Sequence, residues 1–229
     1  WDYIVHCAGV TKCLNKEDFD KGNYQATVNF VEALKELDMV PERFMYISSL
    51  SIFGPIHEDT YQPICEQDEP QPNTAYGVSK LKSEKYLQSL TDFPYVIYRP
   101  AGVYGPRERD YFLMAQSIKQ HIDVAAGLTP PEITFVYVDD VVQAVFKSMV
   151  SPDAVGKAYF LSDGEIYNSR SYSDLVQQHL GNPWVLHLKL PLCLLRAVCW
   201  LGGKMSRLTG KMTALNDDKY HIHSQRKWQ

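Results

Sequence analysis

The strongest constraint on this chain is the regular exchange of short apolar runs for stretches with helical spacing. Tyr3 to Cys7 (YIVHC), ended by Ala8-Gly9, has the composition of a fully buried strand. From about Lys16 to Leu37, Val28, Val31, Leu34 and Leu37 fall on one helical face, and Pro41 prevents continuation. Phe44 to Ser48 (FMYIS) predicts a second strand, Ala75 to Leu90 a helix, Tyr95 to Arg99 (YVIYR) a third strand stopped by Pro100, and Tyr111 to His121 another helix. Strand, helix, strand, helix, strand is the grammar of a doubly wound α/β fold with a parallel sheet. Farther on come strands over 133–138, 158–161 and 185–188 and helices over 141–150, 171–180 and 192–208, a less regular alternation that predicts a smaller lobe.

Length sets the scale. At roughly 150 residues per domain, 229 residues give one large domain, or one with an appendage. The formal charge of −4 removes the general electrostatic case for nucleic-acid binding, which needs a basic face. Five scattered cysteines form no C-x-x-C pair and have no histidine partner at metal-ligand spacing; this predicts free thiols in a reducing cytoplasm and no metal. The longest apolar run, Leu190 to Gly203, contains Arg196 and is shorter than the ~20 residues a bilayer requires, so no span is expected. The chain opens at Trp1 inside a hydrophobic run and reads as starting in mid-domain.

Candidate chemistry gathers at predicted strand ends. Tyr76 and Lys80 stand four apart at the start of a helix, on the same face, where a cation can act on a phenol. Taken alone, this spacing leaves a surface pair open. Ser48-Ser49 ends the second strand, at the carboxyl edge where open parallel sheets bind ligands. Residues 54–74 hold four prolines and five acidic residues, a long loop that returns Tyr76 toward that edge. His6-Cys7-Ala8-Gly9 ends the neighbouring strand with small residues that admit a ligand to the backbone.

Together, Ser49 followed by Leu50-Ser51-Ile52-Phe53-Gly54, Tyr76-x-x-x-Lys80, and the exit Arg99-Pro100-Ala101-Gly102-Val103-Tyr104-Gly105-Pro106-Arg107 resemble the extended short-chain dehydrogenase/reductases, the NAD-dependent epimerase/dehydratase group. His6 to Gly9, Asn23 and Phe135 to Val141 resemble further family segments, so the likeness runs from Tyr3 to about Gly181. It implies a Rossmann-like domain over 1–110. Residues 111–229 would then be mainly a substrate lobe, with some strands and helices returning to the main sheet.

In that family's pattern, Tyr76 exchanges a proton with a substrate hydroxyl or carbonyl, and Ser49 hydrogen-bonds the same oxygen. Lys80 holds the ribose of NAD or NADP and lowers the pKa of Tyr76, while Asn23 shapes the helix near Lys80 and supports a proton relay. Ala8, Gly9, Pro100 and Val103 line the nicotinamide and its ribose. A homodimer through the helices carrying Asn23 and Tyr76 is implied as well.

Two departures stand out. None of the thirteen glycines forms G-x-G-x-x-G, so the family's first three strands are expected to be missing and the chain to bind dinucleotide poorly or not at all. Tyr3 to Cys7 would then be an exposed apolar edge, a template for self-association. Nucleotide-sugar epimerases of the group carry asparagine where this chain has Gly102, whereas Arg-Pro-x-Gly-Val-Tyr-Gly-Pro is similar to 3β-hydroxysteroid dehydrogenases and dihydroflavonol reductases. A nucleotide sugar and a steroid- or flavonol-like substrate both stay open, with Arg107 or Arg109 available to a phosphate or simply solvated.

The competing class is a non-catalytic relative that binds a ligand or partner on the same scaffold. Asp139-Asp140 reads as a helix cap rather than a metal pair, and His221-Ile222-His223 as a solvent-exposed tail. Leu190 to Leu208 reads as an amphipathic helix packed on the substrate lobe, with membrane-surface contact the lesser alternative.

Overall fold

The computed structural model describes residues 1–57, 62–127, 132–209 and 227–228. In chain order its first elements are β1 (Tyr3–His6), α1 (Lys16–Phe19), one π-helical turn (Asp20–Gln25), α2 (Ala26–Glu36), β2 (Arg43–Ile47), a short 3-10 turn (Leu50–Ile52), α3 (Ala75–Gln88), β3 (Tyr95–Pro100) and β4 (Gly102–Tyr104). There follow α4 (Asp110–Lys119), β5 (Ile122–Ala126), β6 (Glu132–Ile133), β7 (Phe135–Tyr137), α5 (Val138–Val150) and β8 (Lys157–Leu161). The last are β9 (Tyr167–Asn168), α6 (Ser169–His179), β10 (Leu186–Leu190), α7 (Leu192–Thr209) and β11 (Lys227–Trp228). They form two compact units: Trp1–Ile56, Ile64–Ala101 and Asp139–Leu161 make the first, and His57–Pro63, Gly102–Val138 and Ser162–Gln229 the second.

The first unit is built on a four-stranded parallel sheet in the order β1-β2-β3-β8. Strand β2 reads as a continuous apolar run because helices cover both of its faces. Phe44 and Tyr46 pack with Val31, Leu34, Leu87 and Ile97 on one side, and Met45 packs with Val96, Tyr98, Val145 and Ala154 on the other. This is the doubly wound α/β architecture expected from the alternation. Strand β1 has the composition of a fully buried strand but lies at the sheet's edge, the position expected from the resemblance: among the described strands it pairs only with β2, Tyr3 and Val5 are each 41% exposed, and only His6 is buried. Composition identifies a strand, but a fully buried one needs neighbours on both edges.

The second unit holds three small sheets, β10-β5, β11-β6-β9 and β4-β7. Thr134 divides the expected 133–138 strand, so β6 pairs with β9 and β7 with β4. Helix α6 starts at Ser169, two residues before the periodicity suggests. Asn168 Oδ1 accepts from Ser171 N (2.9 Å) and Ser171 Oγ accepts from Asn168 N (2.8 Å), a reciprocal cap. Asp139 and Asp140 lie inside the first turn of α5 rather than at its cap, where they oppose the positive end of the helix dipole. The His221 to His223 tail lies outside the described residues.

Candidate active site

At the end of β2 the chain turns sharply. Ser49 adopts extended backbone and caps the 3-10 turn: its Oγ accepts from Ser51 N (3.1 Å) and donates to Ser51 Oγ (2.9 Å). Thr74 caps α3 with its Oγ1, which accepts from Gly77 N (3.0 Å), and this places Tyr76 in the first helical turn. The Ser49 hydroxyl is near enough to the Tyr76 phenol to act on its ionisation, and Phe19 stands edge-on to the Tyr76 ring at 6.3 Å. Gly77, which sequence reasoning passed over, is what lets these segments meet. A Cβ there would lie 2.4 Å from the Ser51 carbonyl oxygen, so only glycine allows the first turn of α3 to press on the Ser49–Ser51 turn.

Lys80 follows one turn later and is 4% exposed. Its Nζ donates to the Ile47 carbonyl (2.9 Å) and lies 4.8 Å from the centre of the Tyr46 ring and 6.0 Å from that of Tyr76. Burial lowers its pKa to about 8, against opposing pulls from Cys7 and Glu84. The Tyr76 phenol is itself pushed above its ordinary range by burial, with the nearby Ser49 hydroxyl pulling the other way. The expectation that Lys80 acidifies Tyr76 is therefore corrected: desolvation is the largest influence, and the ammonium is directed at a backbone carbonyl. Burial, then Lys80, lowers the His6 pKa to about 4, and this neutral ring hydrogen-bonds Thr27 Oγ1 at 2.9 Å.

Asn23 sits in the π-helical turn, buried. Its Oδ1 accepts from Val10 N (2.7 Å), and its Nδ2 donates to Val10 O (3.1 Å) and Ser79 Oγ (2.9 Å). Ser79 Oγ in turn donates to Tyr76 O (2.7 Å), so Asn23 ties the segment after β1 to the backbone of α3. A Cβ on Gly9 would fall 2.8 Å from Asn23 Oδ1 and 3.4 Å from Lys80 Nζ. The bare backbone at Gly9 thus leaves a cradle beside a lysine that spends one hydrogen bond on the protein. That is the donor set a ribose diol needs, so these residues fit the nicotinamide end of a dinucleotide. Four residues beyond Lys80, Glu84 accepts from Arg99 (Nη2 to Oε2 2.7 Å, Nε to Oε2 3.1 Å), anchoring α3 to β3.

Ser49, Tyr76, Lys80, Asn23, Ala8, Gly9 and Pro100 all belong to the first unit; Gly102, Val103 and Arg107 belong to the second. Gly102 offers no side chain and has the Tyr111 hydroxyl 2.3 Å from where its Cβ would be. Arg107 is exposed, with φ 75°, on the wall of a cavity of about 700 Å³ within the second unit. That cavity escaped sequence reasoning. Its sign in the sequence was the aromatic density of Tyr104, Tyr111, Tyr167 and Tyr172. Among the described residues, no group of three or more His, Cys, Asp or Glu could hold a metal, and no helix is long and apolar enough to cross a membrane.

UDP-glucose 4-epimerase of Vibrio cholerae is 26% identical to this chain over 226 residues, covering 91% of the chain and 67% of that protein. The crystal structure of ADP-L-glycero-D-manno-heptose-6-epimerase from Helicobacter pylori superposes with a TM-score of 0.70 at 27% identity, over 82% of this chain and 62% of that one. RMD from Pseudomonas aeruginosa, complexed with NADPH, gives 0.72 at 24% identity, over 83% and 69%, a likeness of fold. The chain spans 52–67% of the length of the first curated relatives it matches. The model of the NAD dependent epimerase/dehydratase family matches residues 1–168, and the chain belongs to that family.

Proposed function

We propose that this protein is an NAD(P)-dependent oxidoreductase or epimerase acting on a secondary alcohol or the corresponding carbonyl through Ser49, Tyr76 and Lys80. One observation carries the reading: the Tyr76 ring lies beside the buried ammonium of Lys80, 6.0 Å from its Nζ, with the Ser49 hydroxyl near enough to act on the phenol, at the carboxyl end of β2. Open parallel sheets bind ligands at that edge.

The residues have separable roles. Burial keeps the Tyr76 phenol protonated, so it donates to a substrate oxygen as negative charge develops there and takes the proton back in the reverse direction. Ser49, oriented by Ser51, supplies a second donor to the same oxygen. Lys80 turns its remaining donors to the ribose hydroxyls beside Gly9, and Asn23 fixes the backbone that frames them. When bound, the nicotinamide accepts or returns the hydride. The relatives named as acting on UDP- and ADP-linked sugars support a sugar-nucleotide substrate class at this centre.

The 229 residues alone are expected to be inactive for want of the dinucleotide-binding half, so the test is turnover of UDP-glucose with NAD or NADP by the full-length protein, followed by formation of reduced cofactor and by NMR of the sugar. Tyr76→Phe is expected to lower the rate by about 10²–10⁴-fold, the range for loss of general acid–base catalysis. A rate within twofold of the unmodified protein would overturn the assignment, and substrate binding without any turnover would favour a non-catalytic binder.

A further inference from the structure

A buried ammonium has to be kept charged by something, and Lys80 has little anionic company. Its side chain is 4% exposed, and burial works against the charge. Among the described residues no carboxylate forms an ion pair with it. Glu84, one turn farther along α3, is taken up by Arg99 of β3 through Nη2 (2.7 Å) and Nε (3.1 Å). The remaining titratable groups around Nζ are neutral. On the β1 side, burial raises the Cys7 thiol against the pull of Lys80 and, with Lys80, lowers the His6 pKa to about 4. On α3 itself, burial holds the Tyr76 phenol above its ordinary range.

Two contacts remain, and one strand supplies both. Nζ donates to the Ile47 carbonyl (2.9 Å) and stands 4.8 Å over the centre of the Tyr46 ring, nearer than the 6.0 Å that separates it from the ring of Tyr76. Tyr46 is fully buried among Val31, Phe44, Leu87 and Ile97, which fix the plane of its ring. Burial also pushes its phenol far above the ordinary range, so the ring meets the ammonium as a neutral aromatic and not as an anion. An aromatic face at this distance attracts a cation through its quadrupole, most strongly where water is excluded.

We propose that Tyr46 is a positioning residue for Lys80, its ring face holding the ammonium in the charged form and beside Gly9. The charge of Lys80 is a property of this pair of side chains. Its use toward a ribose hydroxyl rests on the function proposed above.

The test is NMR of the full 229-residue chain carrying lysine labelled with carbon-13 at Cε, titrated across pH, the Lys80 signal being the one lost in Lys80→Arg. Tyr46→Phe keeps the ring and is expected to leave the Lys80 acid dissociation constant within about twofold. Phenylalanine with one, two or three ring fluorines at position 46 keeps the shape and drains negative charge from the ring face in steps. Lys80 should lose its proton more readily at each step, with a total change of about tenfold in that constant, the scale of a desolvated cation–π contact. Circular dichroism checks that each protein is folded, and the two less fluorinated ones, nearly isosteric with Tyr46→Phe, carry the trend if the third does not fold. A constant that stays the same across the folded members of the series overturns the proposal. So does a change in Tyr46→Phe as large as that of the most fluorinated ring, which would assign the effect to the hydroxyl. No turnover is read, so loss of the catalytic assignment would leave this trend standing, and absence of the trend would leave the catalytic assignment untouched.

Discussion

Removing the carboxylate of Glu84 should destabilise the first unit more than any surface change, and the structure sets the scale. Glu84 is 1% exposed and Arg99 8%, and two hydrogen bonds of 2.7 and 3.1 Å, plus a longer one of 3.3 Å, join them. The guanidinium also lies 5.2 Å from the ring centre of Phe53 and 5.6 Å from that of Phe160, so water does not replace a lost carboxylate. Leaving one charge of a buried pair without its partner costs about 3–5 kcal/mol, against a total stability on the order of 5–15 kcal/mol. Glu84→Met should therefore lower the urea midpoint by a third or more with little change in slope. Glu84→Met combined with Arg99→Met removes both charges and should recover most of the loss, since apolar replacement of a buried pair is often neutral or better. A single-variant loss below about 1 kcal/mol, or a double variant that loses the sum of both singles, would refute the reasoning.

Three further outcomes are expected. His6 has a folded pKa of about 4 against 6.5 in the unfolded chain, so the unfolded state takes up the extra proton first as pH falls. Relative to His6→Gln, the unmodified protein should lose up to about 3 kcal/mol between pH 6.5 and 4 and nothing more below, as measured by urea unfolding across pH. Lys80 falls to about 8 from 10.5, so the unfolded chain holds more protons between those values; measured against Lys80→Met, stability should rise by about 3 kcal/mol over that interval, and a flat difference would contradict its burial. Gly77→Ala forces a methyl to within 2.4 Å of the Ser51 carbonyl and should cost about 1–3 kcal/mol in thermal unfolding; a neutral result would mean that α3 does not press on that turn.

The central strands were legible because their composition reports their surroundings: Phe44 to Ile47 and Val96 to Tyr98 are apolar at every step, and both sheet faces are covered. Position within the sheet was not legible from composition, since Tyr3 to His6 is as apolar as an interior strand yet lies at an edge; only the missing glycine-rich motif of the family pattern pointed there. Strand β5 escaped notice because Asp123 interrupts its pattern. The structure explains the interruption, for Asp123 Oδ2 meets His187 Nδ1 at 2.8 Å across the β5–β10 pair, a contact between residues 64 apart. The π-helical turn was equally hidden, because one added residue per turn hardly disturbs the apolar spacing on either side.

At the candidate site, motif spacing was enough to put Ser49 beside Tyr76 and Lys80. It gave no sign that desolvation would outweigh the ammonium at the phenol, since burial depends on the many residues packed around a group. The aromatic cavity was out of reach for a related reason: its walls come from β4, α4, β7, β9 and α6, which only the tertiary fold assembles.

Strand β8 completes the sheet of the first unit by pairing with β3, although the chain between them passes through much of the second unit. A nascent polypeptide that has emerged only as far as Val150 therefore carries β3 with one flank unclaimed. Its last strand has to be recruited across a long excursion whose closure entropy is lost before any ladder bond forms. Maturation of the Tyr76 helix and its supporting sheet is thus tied to synthesis of residues far downstream. A ribosome paused anywhere between β4 and α5 would hold an unfinished sheet open to whatever other strands are within reach.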